Sequence, residues 1–170
     1  PRQAGVSLSL RAGEIVGIAG VTGNGQSELL EVLSGMRVPD TGRLSVGEAN
    51  FDAAESWLEP GQARRLKLAH VPEDRHARAM VMDFVAWESA VLGYDGLPAY
   101  SSGGWMSHAA MREATAGLME RFDVRPRDPE LKSSKFSGGN QQKLVLAREL
   151  GQSPKVLLVG QPTRGVDIGA

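Results

Sequence analysis

The sequence contains no cysteine, which excludes disulfide frameworks, thiolate metal sites and cysteine nucleophiles together. It has no apolar run near the roughly 20 residues that span a bilayer. Its opening, PRQAGVSLSL, lacks the charged-then-apolar order of a secretory leader. An excess of charge of one sign is also missing. Nineteen Lys and Arg stand against 20 Asp and Glu, a net charge of −1, which argues against a basic nucleic-acid binder. Any membrane link is therefore expected to run through a partner, and a reducing, cytoplasmic setting fits. What is present is an ordinary globular composition, 41% hydrophobic and 23% charged over 170 residues, enough to bury one core with an inserted lobe. The start on Pro1 and the stop at Ala170, directly after a motif-like stretch, suggest a piece of something longer.

Periodicity supplies the elements. Val6 to Leu10 alternates like a strand, and Glu14 to Ala19, EIVGIA, reads as a buried one. A glycine-rich loop from Gly20 to Ser27 follows. ELLEVLSG then has helical spacing through Leu29, Leu30 and Leu33, with its end marked by Gly35. Strands are expected at Arg43 to Val46, Lys67 to Val71 and Lys155 to Val159. Helices are expected near Gly61 to Leu66, Phe84 to Leu92, His108 to Phe122 and Asn140 to Leu150. PEDRH, Pro72 to His76, reads as a charged loop, and the Gly-, Tyr-, Ser- and Pro-rich stretch from Gly93 to Gly104 as an irregular, mobile one. The alternation predicts an α/β fold with a mostly parallel sheet. The expected division is a phosphate-binding core over 1–82 and 136–170, with a helical lobe over 83–135.

Three constellations carry chemistry. In Gly20-Val21-Thr22-Gly23-Asn24-Gly25-Gln26-Ser27, glycines allow the unusual backbone angles and close approach that turn successive N–H groups on one anion, and a helix N-terminus adds positive potential. The spacing is that of GxxxxGK[ST], with Gln26 at the lysine position. A ligand-free glycine turn is the alternative for this loop taken alone. Ser137-Gly138-Gly139-Asn140-Gln141 opens a second helix, where Ser137 equally suits a plain N-cap and the glycines a plain turn. Third, the apolar strand ending at Val159 runs into Gly160-Gln161, where phosphoryl-transfer sites carry acidic residues that serve Mg²⁺ and water. The histidines at 70, 76 and 108 lack metal-ligand spacing.

The order AGVTGNGQSEL, HVPEDRH, SGGNQQKLVLAREL and QPTRGVD resembles an ATP-binding cassette ATPase over nearly the whole chain. More narrowly it resembles the second cassette of the tandem ATPase subunits of bacterial importers of simple sugars and nucleosides. The resemblance implies a P-loop, RecA-like fold with N-terminal antiparallel strands, cut short at both ends. It implies ATP and Mg as ligands, with Gly20, Gly23, Asn24, Gly25, Gln26, Ser27 and Glu28 as the Walker A site and Ser27 as the magnesium ligand. Glu73 takes the Q-loop glutamine position. Ser137, Gly138, Gly139, Asn140 and Gln141 match the signature motif that faces the opposite cassette's nucleotide. Gly160 and Gln161 fall at the Walker B aspartate and catalytic glutamate, and Asp167 at the D-loop aspartate.

These departures have physical consequences. A lysine about 4 Å from phosphate is worth about 4 kcal/mol at an effective dielectric near 20 before desolvation, whereas a glutamine hydrogen bond to an anion returns about 1.5–3 kcal/mol. Gln161 cannot act as a carboxylate base, a loss of about 10²–10⁴ in rate. The resemblance therefore implies a weakly hydrolytic half that completes the site of a second cassette. It implies transmembrane permease subunits as partners, a periplasmic or lipoprotein solute-binding protein indirectly, no nucleic acid, and a peripheral place on the cytoplasmic face of the plasma membrane. A structural pseudo-cassette without nucleotide and a non-transport cassette ATPase are the alternatives. Glu73-Asp74-Arg75 either meets the membrane subunit or is a solvated loop. Trp87 is either an apolar anchor for that contact or part of the lobe's core.

Overall fold

The computed structural model describes residues 5–21 and 23–161. Its elements, in chain order, are α1 (Gln26–Leu33), β1 (Arg43–Val46), β2 (Ala49–Asp52), α2 (Pro60–Arg65), β3 (Leu68–Val71), α3 (Arg75–Arg78) and α4 (Ala86–Val91). They continue with β4 (Ser101–Ser102), β5 (Trp105–Met106), α5 (His108–Arg121), a 3₁₀ turn (Ser133–Lys135), α6 (Gly138–Gly151) and β6 (Val156–Val159). Among the described residues β3 and β6 form a parallel pair, while β1–β2 and β4–β5 are antiparallel hairpins.

Local chemistry explains most boundaries. α1 begins on Gly25, whose φ of 96° is left-handed, and stops before Gly35 at φ 80°. A Cβ on Gly35 would lie 2.7 Å from the Leu58 carbonyl oxygen, so the close approach as well as the angle demands glycine there. Asp74 caps α3 by accepting from the backbone N–H groups of His76 and Ala77, each at 3.0 Å, and Ser107 caps α5 through the N–H of Ala110.

Two strand expectations fail. Residues 6–10 and 14–19 form no strand, and Ile15 is 97% exposed. A segment apolar on both sides, such as EIVGIA, is stable as a strand only with pairing and cover on both faces. The described parallel sheet is only two strands wide, with Leu157 of β6 itself 36% exposed. The sequence reading also missed β2, which pairs with β1 from Arg43↔Asp52 to Val46↔Ala49, and the short α3. The stretch expected to be irregular and mobile is instead pinned by the buried Tyr94 and Tyr100 and ends in the β4–β5 hairpin.

The core is organised around α6. One cluster joins Val71 of β3, Ala79 and Met80 after α3, Ala86 and Ala90 of α4, Met119 of α5, and Leu144 and Val145 of α6. A second holds Trp87, Val91, Tyr94, Tyr100 and Met111, and a third seats Trp57, Leu58, Ala63 and Leu68 beneath α2. Trp57 ties this third cluster to α1 by donating its indole N–H to the Val32 carbonyl at 3.0 Å. Trp87 is 8% exposed, with His108 at 5.1 Å and the Arg112 guanidinium 4.9 Å from its ring. It is therefore a core residue and not a surface anchor.

Two adjacent charges are buried within this frame. Arg148, 5% exposed, donates to Glu149 Oε1 at 2.8 Å and to the carbonyls of Ala79 at 2.7 Å and Ser89 at 3.1 Å. Glu149, 3% exposed, also accepts from the Tyr94 hydroxyl at 2.7 Å. Burial first, and then the neighbouring Glu149 charge, pushes the Tyr94 hydroxyl pKa upward.

Two expectations follow for stability. Arg148→Met leaves two carbonyls and a carboxylate without their cation, so it should cost about 3–5 kcal/mol, read as a lower urea midpoint. Burial also lowers the pKa of His70, outweighing the nearby Glu149 charge. The unfolded chain then binds more protons than the folded one between the depressed value and about 6.5. Stability should hold above pH 6.5 and decline as pH falls through that window, and His70→Gln should flatten the slope in urea melts at stepped pH.

Candidate functional site

The site is assembled by the parallel strand pair. Leu68↔Val156 through Val71↔Val159 are in register, and the Gly160 N–H extends the ladder by donating to the Val71 carbonyl at 2.9 Å. The residues just past the two strand ends, Glu73 and Gly160, are thereby forced side by side. A Cβ on Gly160 would stand 2.5 Å from Glu73 Cγ, 3.1 Å from the Glu73 backbone N and 3.0 Å from Leu30 Cδ1. Gln161 follows in a left-handed conformation, φ 44°, and is exposed.

The glycine loop lies against the same place. Gly23 and Gly25 have φ of 89° and 96°, and the Asn24 N–H donates to the Val21 carbonyl at 3.2 Å. The N-cap residue of α1, Gly25, has no side chain to occupy the first N–H groups of the helix, an arrangement that suits an anion. The Ser27 hydroxyl donates to Glu73 Oε2 at 2.7 Å across 46 residues of sequence. Gln26 folds back over the loop and donates its amide to the Val21 carbonyl at 3.3 Å. A Cβ on Gly20 would fall 1.7 Å from that amide nitrogen, so the first glycine makes room for the glutamine. Glu28 is exposed on the first turn. Glu31 anchors α1 to α3 through Arg78 and to the following loop through Arg37, both at 2.6 Å.

The Ser137 group is placed separately. The Ser137 hydroxyl accepts from the Asn140 N–H at 3.4 Å and side-chain amide at 2.9 Å, so it is an N-cap. Asn140 in turn accepts from the Arg125 backbone N–H at 2.7 Å. Gly138 and Gly139 are half-buried at the start of α6. Gln141, 4% exposed, points the other way: its amide donates to the carbonyls of Ser133 and Phe136, and its oxygen meets His76 Nε2 at 2.8 Å and Arg75 Nε at 3.4 Å. Two residues of PEDRH are thus tied to α6, and that segment is not merely a solvated loop. Asp167 lies outside the described residues.

The structure therefore brings Ser27, Glu73 and Gly160 together and holds Ser137–Gly139 apart, with Gln141 tying α6 to Arg75 and His76. Sequence reasoning missed the Glu73–Gly160 contact and the bridging role of Gln141. The first was readable: both residues follow apolar strands that a parallel sheet sets next to each other. Among the described residues no group of three or more His, Asp or Glu could hold a metal by itself. A hydroxyl and one carboxylate nevertheless fit Mg²⁺, which takes one or two protein oxygens and completes its shell with phosphate oxygens and water.

With that geometry in place, the comparisons are consistent. Residues 4–164 match the family model for ABC transporters. The guanosine import ATP-binding protein NupO of Bacillus subtilis is 39% identical over 165 residues, 97% of this chain and 32% of that protein. The nucleoside import ATP-binding protein NupA of Lactococcus lactis and the ribose import ATP-binding protein RbsA of Chromobacterium violaceum are each 40% identical over 166 residues, 98% of this chain and 32% of theirs. The chain thus spans about a third of the length of these relatives. A solved dimer of the ATP-binding cassette MJ0796, bound to ADP and Pi, superposes with a TM-score of 0.72 at 23% identity, covering 94% of this chain and 66% of that one, a likeness of fold. This chain belongs to the ABC transporter family, as one of its ATP-binding cassettes.

Proposed function

We propose that this cassette binds ATP with Mg²⁺ at Gly20–Ser27, hydrolyses it weakly or not at all, and serves an importer of sugars or nucleosides by completing the active site of a second cassette. The observation that carries the reading is the loop itself. Gly23 and Gly25 hold the left-handed angles of a phosphate cradle and the Ser27 hydroxyl faces a carboxylate, while Gln26, Gly160 and Gln161 supply neither a cation nor a general base. Backbone N–H groups and the N-terminus of α1 retain the grip on phosphate, and what has gone is the chemistry that splits it. The import ATP-binding relatives point to a solute of the nucleoside or simple-sugar class.

In this reading Gly20, Gly23, Asn24, Gly25 and Gln26 cradle the phosphates, with Glu28 beside them on the first turn, and Ser27 holds Mg²⁺, which when bound neutralises phosphate charge. Ser137, Gly138 and Gly139, with Asn140 and Gln141 behind them, present a second helix N-terminus to the nucleotide of the opposite cassette. Residues 83–135 form the lobe that meets the permease, with a solute-binding protein acting further upstream. The protein sits peripherally on the cytoplasmic face of the membrane through that partner. No helix among the described residues is long and apolar enough to cross it.

Ser137→Arg separates the two halves of the proposal. It places a bulky cation at the far nucleotide while leaving Gly20–Ser27 untouched. Steady-state ATP turnover of the intact protein should fall by about 10²-fold, the scale of losing a preorganised phosphate donor, with nucleotide occupancy of this loop unchanged. Undiminished turnover would remove the cross-cassette role. Absence of ATP from this loop at millimolar concentration would instead favour a structural pseudo-cassette.

A further inference from the structure

We propose that the cleft between α2, the start of β3 and the segment after α4 binds a small phosphomonoester. Arg64, Arg65 and Lys67 take the phosphate, and Tyr94 and Leu97 meet a body the size of a nucleoside or a pentose. The cleft encloses about 300 Å³. Lys67 and Pro154, which line it, precede β3 and β6, whereas Glu73 and Gly160 lie past the opposite ends of those strands. The site is therefore separate from the glycine loop, and the inference stands whether or not that loop holds ATP.

Three observations support it. The first is charge. Arg64, Arg65 and Lys67 line the cleft and no Asp or Glu does, and among the described residues none of the three enters an ion pair. Glu149 lies behind, in an adjoining cavity of about 120 Å³ that Arg64 also borders, but Arg148 and the Tyr94 hydroxyl already engage it. The second is the seat of Arg64. Its guanidinium carbon lies 5.3 Å from the centre of the Tyr94 ring, and a Cβ on Gly93 would stand 2.5 Å from that carbon. Gly93 is also left-handed, φ 79°, so glycine there both permits the angle and makes room for the cation. Two arginines in the last turn suit the C-terminus of α2, yet that role requires no glycine opposite one of them. The third is Lys67, whose ammonium is held at the cleft by the Gln152 carbonyl at 3.3 Å. That contact uses one of its three donors.

The chemistry of the walls narrows the ligand. Guanidinium forks match phosphate oxygens in pairs, and three cations around one cleft oppose a phosphate dianion better than a single carboxylate. Leu68, Ala69, Leu97 and Tyr94 make the rest of the lining largely apolar or aromatic, which favours an organic body over a bare anion. At about 300 Å³ the cleft is at the small end of ligand sites, so it suits a mononucleotide or a sugar phosphate and is too small for a dinucleotide. Bound there, the ligand joins α2 to the segment after α4 and adds to the Arg64–Tyr94 contact.

The test uses the intact protein, saturated with a non-hydrolysable ATP analogue and Mg²⁺ so that nucleotide loops are filled. The probes are UMP, ribose 5-phosphate, uridine and inorganic phosphate. Affinity is read by titration calorimetry and location by hydrogen exchange. UMP or ribose 5-phosphate should bind and slow exchange over residues 61–69 and 93–97 while leaving 20–27 unchanged, and the tighter of the two identifies the body. Uridine, without the charge, and inorganic phosphate, without the body, should each bind about 10-fold more weakly or worse. Arg64→Gln with Arg65→Gln should weaken the ester by about 10- to 100-fold, the scale of lost charge-assisted hydrogen bonds. Arg64→Lys with Arg65→Lys, which keeps the charge and loses the forks, should fall between, and it carries the same reading if the glutamine pair misfolds. Inorganic phosphate binding as tightly as either ester overturns the organic ligand. No binding, protection confined to 20–27, or an ester affinity unchanged in both double variants overturns the site.

Discussion

The parallel register of β3 and β6 is the constraint on which the rest depends. Because Val71 lies opposite Val159 and the Gly160 N–H closes the last rung on Val71, the chain leaves both strands at the same level. Everything polar in the site is gathered at that level: Glu73 from one strand end, Gly160 and Gln161 from the other, and the Ser27 hydroxyl from the helix that follows the glycine loop. A slip of one residue would turn His70 and Leu158 to the opposite face and break the contact between positions 73 and 160. The apolar strands thus set chemistry at their ends without contributing a functional side chain.

α6 carries that placement outward. Its first turn presents Ser137–Gly139, its second holds Gln141 against Arg75 and His76, and its last buries Arg148 and Glu149 beneath the carbonyls of Ala79 and Ser89. Both ends of the helix therefore grip the segment that follows β3. Arg148 is worth more as a fixed spacer than as a source of stability, since a buried ion pair roughly cancels its own desolvation. Removing it would let the 72–80 segment shift relative to α4, and with it the position of Glu73.

How much of this was readable from sequence varies with the range of the interactions. α1, β1, α5, α6 and β6 follow from local periodicity and from Gly25, Gly35, Ser107 and Ser137 at their ends, and the glycine loop from its spacing. What stayed hidden depends on long-range neighbours. EIVGIA has every local mark of a strand, yet pairing requires partners that lie elsewhere in the chain. α3 is only four residues, too short for a periodic signal, and rests on Asp74. Gln26 folding onto Gly20 is local, but the GxxxxGK[ST] spacing carries no information on what an amide at the lysine position can reach. The Ser27–Glu73 bond spans 46 residues, a contact no periodicity reports.

The altered letters at this site are easier to understand as a set than one by one. The family pattern surrounds the terminal phosphate with a lysine, an aspartate, a glutamate and a neutral Q-loop glutamine, a side-chain sum of one negative charge. Here Gln26, Gly160 and Gln161 are neutral and Glu73 is negative, and the sum is again one negative charge. Had the lysine alone been lost, two carboxylates would face the triphosphate unopposed, at a cost of several kcal/mol at effective dielectrics near 20. Had the carboxylates alone been lost, the divalent ion would lack an acidic partner. Losing one cation and two anions while gaining one anion, at a position whose side chain packs against Gly160, leaves the side-chain charge sum of these four positions unchanged. On the proposed reading, that single negative charge would suit a magnesium nucleotide, while the neutral Gln161 could not act as a general base.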